Sequence, residues 1–139
     1  MRSPFTKLYV HLVWSTWDRL PIITKDVRDR LFNAMAKRCL ERNCHALIVG
    51  GVEDHVHLLV NYHPAISISE LVKDIKGASS HLMNHEIRPN ADFRWQGAYG
   101  AFTKCENEVE QVTDYIKNQV FHHANNNLME HEEQSEILT

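Results

Sequence analysis

Hydrophobic and polar positions alternate along residues 7–16, a stretch rich in Val, Leu, Tyr and Trp, as expected of a β-strand whose side chains point to opposite faces. Pro21 closes that run. From Asp26 to Asn43, Val27, Leu31, Met35 and Cys39 recur every four residues, which predicts a helix capped by Thr24 or Asp26. Residues 45–53 and 55–62 read as two strands separated at Glu53-Asp54, with a bend at Gly50-Gly51 as the alternative, and close enough to pair antiparallel. Ser67-x-x-Glu70 is a capping box that opens a helix to about residue 86, with Leu71, Ile75, Ala78, Leu82 and Met83 facing inward. Gly77, in its middle, weakens it by about 1 kcal/mol relative to alanine and hints at a close backbone approach. A turn-rich stretch at 88–97 leads to a strand at 98–104. Over 107–123, Val109, Val112, Ile116 and Val120 form one helical stripe. The order β-α-β-β-α-β-α predicts an α+β fold: an antiparallel sheet with packed helices in a split-βαβ (ferredoxin-like or RRM-like) arrangement.

A chain of 139 residues with 43% hydrophobic and 24% charged content suits one domain with a real core. No apolar run approaches the ~20 residues of a membrane span, and the start lacks a signal-peptide pattern, so a cytoplasmic protein is expected. Three cysteines, an odd number, favour free thiols over a disulfide framework. Net charge is −3, a mild objection to a nucleic-acid protein. Glu130, Glu132, Glu133 and Glu136 sit in the terminal tail, however, and residues 1–123 carry fifteen basic against fourteen acidic side chains. Local fields matter more than that total.

Two features carry chemistry. His55 and His57, two apart in a strand, project from one face with α-carbons roughly 6–7 Å apart, close enough to hold one metal ion, while Val56, Leu58 and Val60 point into the core. Sixty residues on, Tyr115 and Gln119 are four apart on a helix and share a ridge. A phenol and a carboxamide presented to a histidine pair make a coherent set: Gln119 to complete a metal shell, Tyr115 to attack what the metal polarises. Each feature alone has an ordinary structural explanation. Together they are far more specific. His122-His123 continues the Tyr115 ridge, and His81 and His85 lie four apart without the glutamate pattern of a zinc protease. Trp95, Tyr99 and Phe102 suit base stacking or core packing equally. Lys76, Ser79, Arg94, Lys104 and Lys117 are candidate phosphate contacts.

The chain resembles the HUH-superfamily single-tyrosine transposases of small bacterial insertion sequences, including the REP-associated tyrosine transposases. The resemblance rests on His55-Val56-His57 and on Tyr115-Ile116-Lys117-Asn118-Gln119. It is supported by His11-Leu12-Val13-Trp14-Ser15-Thr16 and by the segment Phe93 to Phe102. It spans about residues 5–123 in the family's order, which makes 1–123 a single catalytic domain and leaves 124–139 as an acidic tail, extended or helical. It implies Tyr115 as the nucleophile on single-stranded DNA through a 5′-phosphotyrosine, and His55, His57 and Gln119 as ligands of Mg²⁺ or Mn²⁺. It further implies DNA hairpins as the recognised ends, and a homodimer in which Tyr115 serves the histidine pair of its own subunit or that of the other. The alternatives are a non-catalytic single-strand binder on the same fold, and a domesticated relative with a housekeeping role.

Overall fold

The computed structural model describes residues 2–88, 92–126 and 128–137. Its elements are β1 (Tyr9–Ser15), α1 (Lys25–Glu41), β2 (His45–Gly51), β3 (His55–Asn61), α2 (Ile68–Leu82), β4 (Gly100–Lys104), α3 (Val109–Lys117) and α4 (Gln119–Ala124). The four strands form one antiparallel sheet in the order β2-β3-β1-β4, the split-βαβ topology expected from the element order.

Strand alternation builds three layers. Val10, Leu12 and Trp14 of β1 and Val56, Leu58 and Val60 of β3 pack against Val27, Leu31, Met35 and Cys39 of α1 and Leu71, Val72 and Ile75 of α2. The opposite face carries His11, Val13 and Ser15 of β1 beside Leu59, His57 and His55 of β3, paired in that register. There Leu59 meets Val112 and Ile116 of α3, a much smaller apolar cluster. The helix approaches so closely that a Cβ on Gly50 of β2 would collide with the Ile116 carbonyl. The histidine pair thus lies on the sheet face that the tyrosine helix covers.

Several local expectations are corrected. The stretch expected as one helix over 107–123 breaks at Asn118, whose backbone (φ −103°, ψ 28°) leaves helical geometry and whose Nδ2 donates to the Asp114 carbonyl at 2.9 Å. This is the competition for backbone groups that makes Asn a poor helix-interior residue. Beyond the break Val120 turns out to solvent, so it does not continue the stripe of Val112 and Ile116. The second long helix is capped as expected, Ser67 Oγ accepting from Glu70 N–H at 3.1 Å, but it ends at Leu82 and passes into a wider turn over Met83–Ile87. Its inward face includes Ser79 where Ala78 was expected. Gly77 faces open space, and no backbone approaches it. Of the turn-rich stretch at 88–97, residues 89–91 lie outside the described ones.

Candidate active site

His55 and His57 are fixed from behind. His55 Nδ1 lies 2.8 Å from Asp54 Oδ1, and His57 Nδ1 lies 2.8 Å from His11 Nε2, leaving both Nε2 atoms facing the tyrosine helix. From α3 and α4, Tyr115 and Gln119 reach the same spot; the Tyr115 ring stands edge-on to His57 with centroids 6.1 Å apart. Tyr115 and Gln119 stay together across the break at Asn118: the Asn118 N–H still bonds the Asp114 carbonyl at 3.1 Å, and Gln119 Nε2 donates to the Tyr115 carbonyl at 3.4 Å. All four expected residues therefore converge within one chain.

The centre of this group is occupied by a residue that sequence reasoning missed. Glu133, from the acidic tail, puts Oε1 3.1 Å from both His55 Nε2 and His57 Nε2. Its Oε2 accepts from the Tyr115 hydroxyl and lies 3.4 Å from Gln119 Nε2. The Tyr115 oxygen in turn accepts from the Met129 N–H at 3.0 Å. Next door, Glu132 is buried between Lys104 and His11, with its carboxylate 3.4 Å from His11 Nδ1. Gln134 then passes Gly100 so closely that a Cβ there would strike its carbonyl oxygen. Residues 128–137 thus form a strap over the site, and His55, His57, Tyr115 and Gln119 are each 2% exposed or less. No local pattern marks Glu133, whose contact with His57 spans 76 residues of chain.

Burial and these contacts set the ionisation. Burial alone would lower the His55 pKa, but the hydrogen bond to Asp54 and the Glu133 carboxylate beside Nε2 outweigh it and hold it above its ordinary value. For His57 burial wins, and its pKa falls to about 4, so its imidazole is neutral at pH 7. Burial, reinforced by the Glu133 carboxylate, pushes the Tyr115 phenol up to about 12. Burial opposes ionisation of Glu133, yet its histidine partners hold its carboxyl far below the usual carboxylate range. Glu132 behaves likewise beside His11 and Lys104, at about 2.

Of the five basic or hydroxylic candidates, only Lys104 borders this group, through Glu132. Lys76 and Arg94 line a groove of about 480 Å³ on the α2 side of the sheet, with Lys73, Trp95 and Tyr99. Lys76 Nζ donates to the Gln96 and Ala98 carbonyls at 2.8 and 2.9 Å, and burial lowers its pKa to about 8. Arg94 is exposed and stacks over Trp17. Ser79 is not on a DNA-facing surface: it is buried, donating to the Ile75 carbonyl at 2.7 Å and accepting from Trp95 Nε1 at 2.9 Å, because the 93–95 segment closes over it. Lys104 is engaged with Glu132, and Lys117 is exposed on α3. Trp95 and Phe93 pack edge-to-face within the core, centroids 4.7 Å apart. His123 reaches the site through Gln119 Oε1 at 3.0 Å, and His122 stacks on Tyr115. His81 and His85 stack on each other near the end of α2, and the one cluster of three or more metal-ligating side chains among the described residues is His55, His57 and Glu133. No described helix is long and apolar enough to cross a membrane.

Known proteins are similar to this chain in sequence and fold. The sequence model of the family described as "Transposase IS200 like" matches residues 4–119. The ISDra2 transposase TnpA of Deinococcus radiodurans is 28% identical over 118 residues, covering 81% of this chain and 84% of the relative. The transposase of insertion sequence element IS200 from Salmonella typhimurium is 28% identical over 116 residues, covering 79% and 75%. Among solved structures, a transposase crystal structure from D. radiodurans superposes with a TM-score of 0.66 at 29% identity, covering 86% of this chain and 95% of that one. A REP-associated tyrosine transposase bound to a REP hairpin superposes at 0.65, covering 92% and 74%; at 13% identity it speaks for the fold alone. With a family match across most of its length and a fold shared with these transposases, the chain belongs to the IS200-like transposase family, whose activity is DNA transposition.

Proposed function

We propose that the chain cleaves and rejoins single-stranded DNA through Tyr115, by way of a 5′-phosphotyrosine linkage. The observation that supports this reading best is that the Tyr115 hydroxyl and the Nε2 atoms of His55 and His57 meet on one anion, the Glu133 carboxylate. A group of side chains that grips a carboxylate between a nucleophile and two imidazoles is suited to a phosphodiester in the same place. The Tyr115 oxygen attacks phosphorus, the bond from phosphorus to the 3′-oxygen breaks, and that oxygen takes up a proton to leave as a 3′-hydroxyl. Covalent capture keeps the bond energy in the phosphotyrosine, so a second 3′-hydroxyl can reverse the step and join new ends without ATP. The phenol's high pKa means that its proton must be drawn away as attack proceeds. In the resting site the neutral His57 turns its Nε2–H to Glu133 and its lone pair, on Nδ1, to His11.

The donor set fits a divalent cation. His55 Nε2 is buried with no hydrogen-bond partner, and both Nε2 atoms face one oxygen. His55 and His57, with Gln119 beside them, would hold Mg²⁺ or Mn²⁺, imidazole favouring Mn²⁺ on ligand softness. Such a cation, when bound, supplies Lewis acidity toward a non-bridging phosphate oxygen. As it stands, Gln119 turns Oε1 to His123 and Nε2 to Glu133, and so steadies the carboxylate. DNA with hairpin ends and a second copy of the chain are the partners that belong with this reading.

The test is a covalent, detergent-resistant protein–DNA adduct. It should form on hairpin-bearing single strands with a divalent ion, weaken as salt rises because phosphate contacts release counterions, and be absent on fully paired duplex. A stiff duplex cannot bend a phosphate down to a tyrosine on this covered sheet face. Equal rates on both substrates would overturn the single-strand assignment. DNA binding with no adduct under any metal would favour the non-catalytic binder.

A further inference from the structure

We infer that Glu133 is itself a ligand of the divalent cation held by His55 and His57, a carboxylate that the C-terminal strap delivers to the site. This rests on the metal reading above and adds to it a residue outside the segment that matches the family.

Spacing comes first. Glu133 Oε1 lies 3.1 Å from each imidazole Nε2, and one donor atom from each of the three residues falls within 4.8 Å of the others. Donors about 2.1 Å from a shared ion sit about 3 Å apart in adjacent positions of an octahedron and about 4.2 Å apart in opposite ones. The two 3.1 Å separations from Glu133 Oε1 match adjacent positions of such an octahedron. Direction comes second. His55 Nε2 makes no hydrogen bond although the carboxylate oxygen is 3.1 Å away, because the two are not aligned for one. Atoms that share a metal aim at the metal and not at each other. His57 Nε2 does satisfy hydrogen-bond geometry to the same oxygen, so the misalignment is specific to His55.

The outer contacts are those a metal centre needs. Each imidazole is held at Nδ1, by Asp54 and by His11, which fixes the ring with Nε2 forward. The far oxygen of Glu133 is held by Tyr115 and Gln119. The strap is pinned on both sides of Glu133: Glu132 is buried against Lys104 and His11, and the Gln134 carbonyl rests on the bare α-carbon of Gly100. Glu133 is therefore a positioned donor and not the end of a wandering tail. The strap also covers Tyr115, so this ligand set belongs to the resting protein, and an incoming strand has to displace Glu133 from Tyr115.

The experiment measures Mn²⁺ binding to the metal-stripped full chain, by the electron paramagnetic resonance signal of free Mn²⁺ and by the Mn²⁺-induced rise in Tm, without DNA. Wild type, Glu133→Ala, Glu133→Asp and His57→Ala are compared, and Tm in chelator reports folding separately. Glu133→Ala should weaken Mn²⁺ binding by at least about tenfold, a loss that even outer-shell partners of a metal cause. Glu133→Asp should fall between it and wild type, and His57→Ala should abolish binding. Unchanged or tighter binding in Glu133→Ala, with His57→Ala still deficient, would overturn the inference while leaving the histidine site standing; tighter binding would make the carboxylate a competitor of the cation. A wild-type chain that binds no Mn²⁺ would overturn both.

Discussion

Tyr115→Phe should abolish strand cleavage and the covalent DNA adduct together, a loss on the order of 10⁴-fold or more, the scale on which removing the nucleophile of a covalent mechanism is felt. The chain has four tyrosines. Tyr9 lies in β1, Tyr62 follows β3 and Tyr99 lines the groove on the α2 side; Tyr115 is the one whose oxygen lies at the histidine pair. Phenylalanine keeps the ring and its contact with His57, so the layer stays packed. The folding cost should be about 1–3 kcal/mol, because the Met129 N–H loses its acceptor and Glu133 a donor. Binding to single-stranded DNA should survive, since it draws chiefly on phosphate contacts. Mass spectrometry of the trapped wild-type adduct gives the independent check. DNA attached to any other residue, or an adduct that persists in Tyr115→Phe, would refute the mechanism.

His57→Ala is expected to be the next most damaging change. His57 is fully buried, its Nδ1 faces His11 and its Nε2 faces Glu133, so no neighbour can take its place. Losing a Lewis acid that contributes several kcal/mol to transition-state charge should slow cleavage on the order of 10²–10⁴-fold. Circular dichroism should show the fold retained, because the larger core lies on the other face of the sheet. Cleavage at the wild-type rate in a folded His57→Ala protein would remove the histidine pair from the chemistry.

Much of this was legible in the sequence, for identifiable reasons. Alternation in β1 and β3 and the four-residue spacing in α1 are patterns that burial enforces on contiguous residues, and each element formed where its pattern lay. His-x-His and Tyr-x-x-x-Gln are equally local: strand and helix geometry alone put each pair on one face. What the sequence could not display is contact at long range. Glu133 looked like one of several solvated tail acids, and only the folded sheet brings His11, Lys104 and Gly100 together to seat its neighbours. The burial of Ser79 escapes the sequence for a related reason. A serine on a helix reads as polar surface until a Trp95 side chain arrives from elsewhere to bond it. The break at Asn118 was foreseeable only weakly, since Lys117-Asn118-Gln119 contains neither proline nor glycine.

The unequal thickness of the two layers flanking the sheet bears on how the protein opens. Among the described residues, eighteen buried apolar side chains hold α1 and α2 down, whereas α3 rests on a cluster of three: Leu59, Val112 and Ile116. Regions with few buried apolar contacts open locally at a fraction of the global unfolding free energy. Amides from Val112 to Lys117 should accordingly exchange with deuterium through local opening, insensitive to low denaturant, while those of Leu58 and Val60 exchange only when the whole domain unfolds. Equal protection in both would mean that the tyrosine helix is as firmly held as the core. Unequal protection would make the layer that carries Tyr115 a separately opening unit, able to lift from the sheet and settle again, on its own histidines or on those of a neighbouring molecule, while the rest of the domain stays folded.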